Sequence, residues 1–166
     1  MGGCGRLSKD EELGVSSMFY GEYRHSLDHK NRVLIPSKFR EAVKEAYVER
    51  FFLTRGLEKC IFVFTEPDWS LMEQKLKSLP MTQSTSRNFS RMFFSGAFEV
   101  VGDKQGRIVI PQTLLEYSSV KKDAVLVGVL NRIEIWDQTA WDHFVAESTK
   151  SYEEIAEKLL IDGQGI

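Results

Sequence analysis

The chain has 166 residues, of which 42% are hydrophobic and 28% charged, and its formal net charge is −2. This is the composition of an ordinary globular protein with enough apolar material for a hydrophobic core. The longest apolar run, from Ala124 to Leu130, is far shorter than the roughly 20 residues that cross a bilayer, which excludes a transmembrane helix. Residues 1–17 lack the apolar segment of a secretory signal, and we expect them to form a flexible N-terminal extension.

Cysteine content and charge distribution narrow the class further. Neither Cys4 nor Cys60 belongs to a CxxC pair, so a disulfide framework and a cysteine-based zinc site are unsupported and a reducing cytoplasm is favoured. The net charge alone argues against a nucleic-acid binder. However, residues 18–44 carry six basic and three acidic residues, whereas residues 137–162 carry seven acidic and two basic ones. Such a chain can present a basic face while staying nearly neutral overall.

From residue 18 onward the sequence contains the same pattern twice. The residues that recur after 75 positions are Phe19, Gly21, Asp28, Arg32, Ile35 and Pro36, which match Phe94, Gly96, Asp103, Arg107, Ile110 and Pro111. Further along the offset becomes 72, and Gly56, Ile61 and Trp69 align with Gly128, Ile133 and Trp141. Agreement at this many Gly, Pro, Trp and charged positions indicates an internal duplication.

Both copies predict the same elements in the same order. A strand (20–27, 97–102) leads through an Asp-x-x-x-Arg turn into a short apolar strand (33–35, 108–110), and Pro then opens a short helix. Two β-rich runs follow (51–54 and 60–64, then 125–129 and 132–136). A helix with apolar residues at helical spacing closes each copy, with Thr65 and Asp68 resembling a capping box at the first.

These elements divide the chain into a first repeat (18–80), a helical linker (81–95) and a second repeat with a C-terminal helix (96–166). Each repeat is too small to bury much surface alone. We therefore predict an α+β fold in which the two repeats share one β-rich core, are related by a pseudo-two-fold axis and carry flanking helices.

The paired Asp-x-x-x-Arg turns are the sharpest chemical feature. An Asp at a turn accepts backbone N–H bonds and pairs with an Arg beyond it, and a single such turn is most simply a structural brace. The residues before the two arginines are Asn31 and Gly106, the two residue types that best tolerate a positive φ. We expect a left-handed residue in both turns.

Two such turns with adjacent lysines favour a second interpretation. They would project Lys30, Arg32, Lys104 and Arg107 from the ends of strands as a two-pronged anion-binding surface. Lysine and arginine neutralise phosphates, and arginine also reads guanine in the major groove. We expect Arg32 and Lys30 to contribute most, because the first copy lies in the more basic stretch.

Other chemistry has little support in the sequence. His25 and His29 superficially resemble an H-x-x-E-H zinc motif, but that motif requires a helix and this segment alternates like a strand. Gly102 to Gly106 has the wrong spacing for a P-loop or a dinucleotide-binding loop, and no carboxylate pair stands out. We therefore predict neither an enzyme nor a metal or cofactor site. The acidic C-terminal helix (138–162) is either a solvated face or an inter-subunit contact.

Taken together, several motifs resemble the MraZ family over residues 18–160. They are Met18-Phe-Tyr-Gly21-Glu-Tyr, Asp28-x-x-x-Arg32-x-x-Ile35-Pro36, Thr54-Arg55-Gly56-Leu57, Phe93-Phe-Ser-Gly96-Ala, Asp103-Lys-Gln-Gly-Arg107-Ile-x-Ile110-Pro111 and Asn131-Arg-Ile-Glu-Ile-Trp136. MraZ proteins are bacterial transcriptional regulators encoded at the head of the division and cell-wall gene cluster. The resemblance implies a duplicated AbrB-like (swapped-hairpin) barrel and assembly into ring-shaped homo-oligomers.

The resemblance also implies a function and a site. It predicts binding of double-stranded DNA at direct repeats upstream of the protein's own operon, with a cytoplasmic, nucleoid-associated location. The nucleic-acid-binding residues that it indicates, together with the adjacent lysines, are Asp28, Lys30, Arg32, Asp103, Lys104 and Arg107. One departure is Asn31, where many members have Gly. The alternative is a non-enzymatic assembly or scaffold protein whose Asp–Arg turns only brace hairpins.

Overall fold

The computed structural model describes residues 18–44 and 50–161, with the backbone alone at residues 43 and 44. The expected N-terminal extension, residues 1–17, lies outside the described residues. The elements of the first half are β1 (Phe19–Ser26), β2 (Arg32–Leu34), α1 (Ser37–Lys44), β3 (Arg50–Arg55), β4 (Ile61–Thr65), α2 (Glu66–Lys77) and α3 (Ser84–Ser95). Those of the second half are β5 (Phe98–Val101), β6 (Arg107–Val109), α4 (Gln112–Ser118), β7 (Asp123–Leu130), β8 (Ile133–Asp137), α5 (Gln138–Thr149) and α6 (Tyr152–Ile161). These elements confirm the predicted α+β class and the predicted order of strands and short helices in each copy. The single C-terminal helix predicted over residues 138–162 was wrong, because the chain breaks at residues 150 and 151 into α5 and α6.

The strands of the two repeats are interleaved. One antiparallel sheet has the order β1-β7-β8-β4-β3-β5, and β2 pairs with β6 in a separate antiparallel ribbon. Strand β1 of the first repeat pairs with β7 of the second, and β5 of the second pairs with β3 of the first. The sheet order therefore reads the same from either end when the repeats are exchanged, which is the arrangement expected of a swapped-hairpin duplication.

The register of the two central pairings shows the pseudo-two-fold relation. In the ribbon, Val33 pairs with its own counterpart Ile108. In the sheet, Phe62 of β4 pairs with Glu134 of β8, 72 residues later. A strand that pairs with its own counterpart must be related to it by a two-fold axis. The two repeats therefore share one core.

The β3 and β7 strands correct one part of the sequence alignment. Leu53 pairs with Val63 in the first repeat as Leu126 pairs with Ile135 in the second, which is an offset of 73 rather than 72 for the first strand of each pair. The Gly56 N–H donates to Cys60 O at 2.8 Å, and the structurally equivalent donor is Val129. The alignment of Gly56 with Gly128 was wrong, because the second hairpin loop is one residue shorter.

The inner core lies between the ribbon and one face of the six-stranded sheet. It contains Val33 and Ile108 from the ribbon, and Ile61 and Ile135 from the central strands, all fully buried. At the usual 25 cal/mol per Å² of apolar surface, each such side chain contributes about 1.5–3 kcal/mol to folding. The ribbon is thus held against the sheet by its own inward side chains, and the alternate residues face outward.

The opposite face of the sheet carries an aromatic core beneath the helices. Trp69 of α2 stacks between Phe52 and Phe93, with ring centroids 5.3 and 5.5 Å away. Its counterpart is Trp141 on α5, whose ring centroid lies 5.3 Å from that of Trp136. Helices α2, α3 and α5 are therefore on one side of the sheet. The β2–β6 ribbon is on the other side, where α1 and α4 also contribute to the inner core. Thr65 begins α2, and its hydroxyl donates to the Asp68 carboxylate at 2.9 Å.

Candidate nucleic-acid interface

The β2–β6 ribbon places the two Asp-x-x-x-Arg loops at opposite ends of a short strand pair. Arg32 lies opposite Val109, and Arg107 lies opposite Leu34. Because the intervening Val33 and its partner face inward, both arginines lie on the outward face. The ribbon continues into the loops, since Ile35 N–H donates to Gly106 O and Ile110 N–H donates to Asn31 O, both at 2.9 Å. The structure therefore brings the two predicted turns together on one surface.

The two loops are built by the same hydrogen bonds. In the first, Asp28 Oδ1 accepts the backbone N–H groups of Lys30 at 2.9 Å and Arg32 at 3.0 Å, and its Oδ2 accepts Arg32 Nε at 2.6 Å. In the second, Asp103 Oδ1 accepts the N–H groups of Gln105 and Arg107, each at 2.9 Å. Its Oδ2 accepts Arg107 Nε at 2.8 Å. Each aspartate thus fixes both the turn and the direction of its arginine.

Each loop contains the left-handed residue that the sequence predicted. Asn31 has φ +57° and Gly106 has φ +80°. Space is restricted at the second position, because a Cβ on Gly106 would lie 2.6 Å from Cδ of Arg40. Glycine is therefore favoured there chiefly by the positive φ, since the end of the Arg40 side chain can move to admit a Cβ.

The hydrogen bonds within the loops keep both aspartates ionised. The backbone N–H of Arg32 is the largest influence that lowers the pKa of Asp28, with its guanidinium adding to the effect, and the pKa falls to about 2. The Arg107 N–H and guanidinium lower the pKa of Asp103 in the same way. The aspartates therefore act as positioning residues, and each arginine has its Nε occupied and a guanidinium edge directed by the loop.

The two lysines occupy different positions in their loops. Lys30 is the third residue of the first loop, where the second loop has Gln105. Lys104 is the second residue of its loop, where the first has His29. Both lysines are exposed, and neither forms an ion pair with any residue that the structure describes. The backbone of the surface is symmetric, whereas its display of positive charge is not.

Arg40 is a contributor to this surface that sequence reasoning counted only as one base among several. Its Nε donates to Ile35 O at 3.0 Å, and its guanidinium lies against Gly106. Across the repeats, Asn31 Nδ2 donates to Gln112 Oε1 at 3.3 Å. This bond and the approach of Arg40 to Gly106 both depend on the pairing of β2 with β6, so no local motif in the sequence predicts them.

Other polar groups offer no comparable site. Buried Glu134 accepts Arg132 Nε at 3.0 Å and Trp136 Nε1 at 2.9 Å, so its carboxylate is satisfied by its neighbours. His25 lies in strand β1 and His29 in the following turn, not on a helix. In residues 18–44 and 50–161, no three His, Cys, Asp or Glu side chains are grouped as metal ligands. No helix in the same ranges is long and apolar enough to cross a membrane.

The duplicated pattern that builds this surface is matched by a known family. A family model described as "MraZ protein, putative antitoxin-like" matches the chain twice, over residues 18–92 and 93–162. The chain belongs to the MraZ family. Members of this family are transcription regulators rather than enzymes. The two matches follow one another along the chain, as the internal duplication requires, and meet inside α3.

Proposed function

We propose that this MraZ protein binds double-stranded DNA through the outward face of the β2–β6 ribbon. The observation that carries the proposal is the identical construction of two loops on one surface, each with an arginine directed by an aspartate. Such preorganisation lowers the entropy lost when a guanidinium meets a phosphate or a guanine edge. In this proposal Arg32 and Arg107 contact the DNA. Asp28 and Asp103 hold the two arginines in position.

The exposed lysines supply the non-specific part of the interaction. Lys30 and Lys104 have no ion pair within the described residues, so their charge is available to phosphates. Each phosphate contact releases counterions, so the binding constant falls steeply with salt. One ribbon can reach only a few phosphates, and a single subunit should therefore bind weakly.

A ring-shaped homo-oligomer would overcome this weakness. Several ribbons that engage successive direct repeats bind through effective concentration, and overall affinity can rise by about 10²–10⁴ without any new contact. The spacing of the repeats then becomes part of the specificity. We infer that the target is the DNA upstream of the protein's own operon and that the protein associates with the cytoplasmic nucleoid.

The test is a fluorescence-anisotropy titration against that upstream DNA at two salt concentrations, with Arg32→Ala and Lys75→Ala beside the parent. Lys75 lies on α2, on the other side of the sheet from the ribbon, and is a matched loss of one surface cation. Arg32→Ala should weaken each contact by about 1–3 kcal/mol and Lys75→Ala should change nothing. Equal binding by Arg32→Ala and the parent, or no binding at all, would instead support a scaffold whose Asp–Arg turns are architectural.

A further inference from the structure

Helix α6 presents an apolar face that nothing in the described chain covers. Tyr152, Ile155 and Leu159 follow one another at helical spacing and lie on one side of the helix. Ile155 is 50% exposed and Leu159 53% exposed, and α6 contains no buried residue. An amphipathic helix with its apolar side in solvent is normally completed by a partner surface.

Comparison of the two repeats explains why α6 does not pack against the sheet as α3 does. In the first repeat, the Thr54 hydroxyl donates to Phe93 O, and Arg55 Nη1 donates to Met92 O at 2.6 Å. These bonds anchor the C-terminal end of α3, the counterpart of α6. With the 73-residue offset, the equivalent positions are Val127 and Gly128, whose side chains have no donor. Helix α6 therefore has no anchor on the sheet.

A groove between α2 and α3 has the complementary character. It encloses about 490 Å³ and has an apolar floor that includes Leu76, Leu79 and Phe94. Met81, which is 82% exposed, lies at one end. Lys77, Arg87 and Arg91 line it against the single acidic residue Glu73. The groove is therefore an open apolar channel with a basic rim.

The charges of the two surfaces favour contact between the helix and the groove over contact between two like surfaces. Helix α6 carries three glutamates and one lysine, namely Glu153, Glu154, Glu157 and Lys158. Two α6 helices would repel each other, as would two basic grooves, whereas an acidic helix in a basic groove is attracted. A helix of ten residues is about 15 Å long, which is the scale of a two-helix groove.

We propose that α6 of one subunit docks into the α2–α3 groove of a second copy of this chain. The interface is heterologous, because helix and groove are different surfaces of the same molecule. Repetition of a heterologous contact closes a ring when the rotation between subunits permits. This inference rests on the homo-oligomer in the proposed function and names the junction from which it is built.

The decisive experiment measures the molar mass of two variants, alone and mixed, by size-exclusion chromatography with light scattering. The helix variant is Ile155→Ser with Leu159→Ser, and the groove variant is Leu79→Ser with Met81→Ser. All four side chains are exposed, so both variants should fold, which circular dichroism checks. Each variant alone should be monomeric. An equimolar mixture should form a dimer and stop there, because one intact helix can meet one intact groove.

The control is Leu57→Ser with Leu130→Ser, which removes two exposed apolar side chains, one from the β3–β4 loop and one from the end of β7, and should assemble like the parent. A helix or groove variant that still forms full-size oligomers overturns the proposed junction. So does a mixture that remains monomeric, which would indicate a symmetric contact. A parent protein that is itself monomeric overturns both the junction and the ring.

Titration with DNA carrying one or several repeats separates this inference from the proposed function. If both hold, the helix variant binds one repeat like the parent but loses the gain from several repeats, a loss on the order of 10²-fold. If the mixed variants form a dimer but the parent does not bind DNA, the proposed junction is supported and the proposed DNA-binding function is wrong. If a variant keeps the full gain from several repeats, the junction fails and the function stands.

Discussion

The carboxylate of Asp28 lies 3.8 Å from Nη1 of Arg107, although the two residues belong to different repeats. Since Asp28 also pairs with Arg32 and Arg107 also pairs with Asp103, the two loops form one continuous chain of alternating charges. The strand exchange that joins β2 to β6 creates this contact. A charge change in one loop should therefore affect the orientation of the arginine in the other.

Replacement of Asp28 by Asn should make stability less sensitive to acid. The pKa of Asp28 is lowered from 3.8 to about 2, so the folded state favours its ionised form. A lowered carboxylate pKa contributes stability that is present above the unfolded pKa and is lost as the pH falls through the folded one. The stability gap between the parent and Asp28→Asn should therefore be constant above about pH 5 and narrow between about pH 4 and pH 2. Urea denaturation across that range measures it.

Asp103→Asn provides the internal comparison for this prediction. The pKa of Asp103 is lowered by the same kinds of hydrogen bond from its own loop. The difference in the free energy of unfolding between the parent and Asp103→Asn should therefore also decrease as the pH falls. A gap that stays constant down to pH 2 for both variants would show that the ionised carboxylates do not hold the loops.

Replacement of Gly106 by Ala should destabilise the ribbon, whereas the same change at Gly102 should not. At Gly106 the φ of +80° is unfavourable for any side chain, and the added Cβ would press on Arg40. We expect a loss of about 1–3 kcal/mol in the free energy of unfolding. At Gly102 no atom lies within 4 Å of the added Cβ, so the change should be within about 0.5 kcal/mol. Chemical denaturation compares the two, and equal effects would contradict the assignment.

Local features of the fold could be predicted from the sequence because the duplication repeats them. The turn at Asp28 and the need for a left-handed residue at Asn31 follow from short-range hydrogen bonding, and the structure confirms both geometries. The order of strands and helices also follows from local periodicity. The exchange of β1 and β5 between repeats came instead from the family resemblance, since pairing partners far apart in sequence leave no local trace.

Long-range register explains what sequence reasoning missed. The 73-residue offset of β3 and β7 depends on the length of a hairpin loop, which sequence alignment at Gly56 and Gly128 concealed. The contact of the Arg40 guanidinium with Gly106 forms only when the two repeats are assembled.

Replacement of Thr54 by Val should weaken the docking of α3 on the sheet. Phe93 lies in the last turn of α3, where carbonyl groups lack partners within the helix, and the buried Thr54 hydroxyl donates to its oxygen. Removal of the donor leaves a buried carbonyl unsatisfied, at a cost of about 1–3 kcal/mol. In Thr54→Val, hydrogen exchange in α3 should be faster than in the parent, whereas exchange in the ribbon should not change. Thr139→Val, at an exposed position of α5, is the matched control and should leave both unchanged.

Replacement of Lys30 by Ala should weaken binding to all DNA sequences alike, because an exposed lysine neutralises a phosphate without reading a base. The slope of log K against log salt should become shallower by about 0.9 for each contact removed.

Replacement of Arg32 by Lys should behave differently. It keeps the charge and hence the salt slope, but it loses the planar fork that Asp28 holds at Nε, so the preference for the operon repeats over unrelated DNA should fall. Anisotropy titrations of both variants on both DNAs, each at several salt concentrations, measure these effects. If Arg32→Lys leaves the sequence preference intact, Arg32 contacts only phosphates and sequence is read elsewhere on the protein.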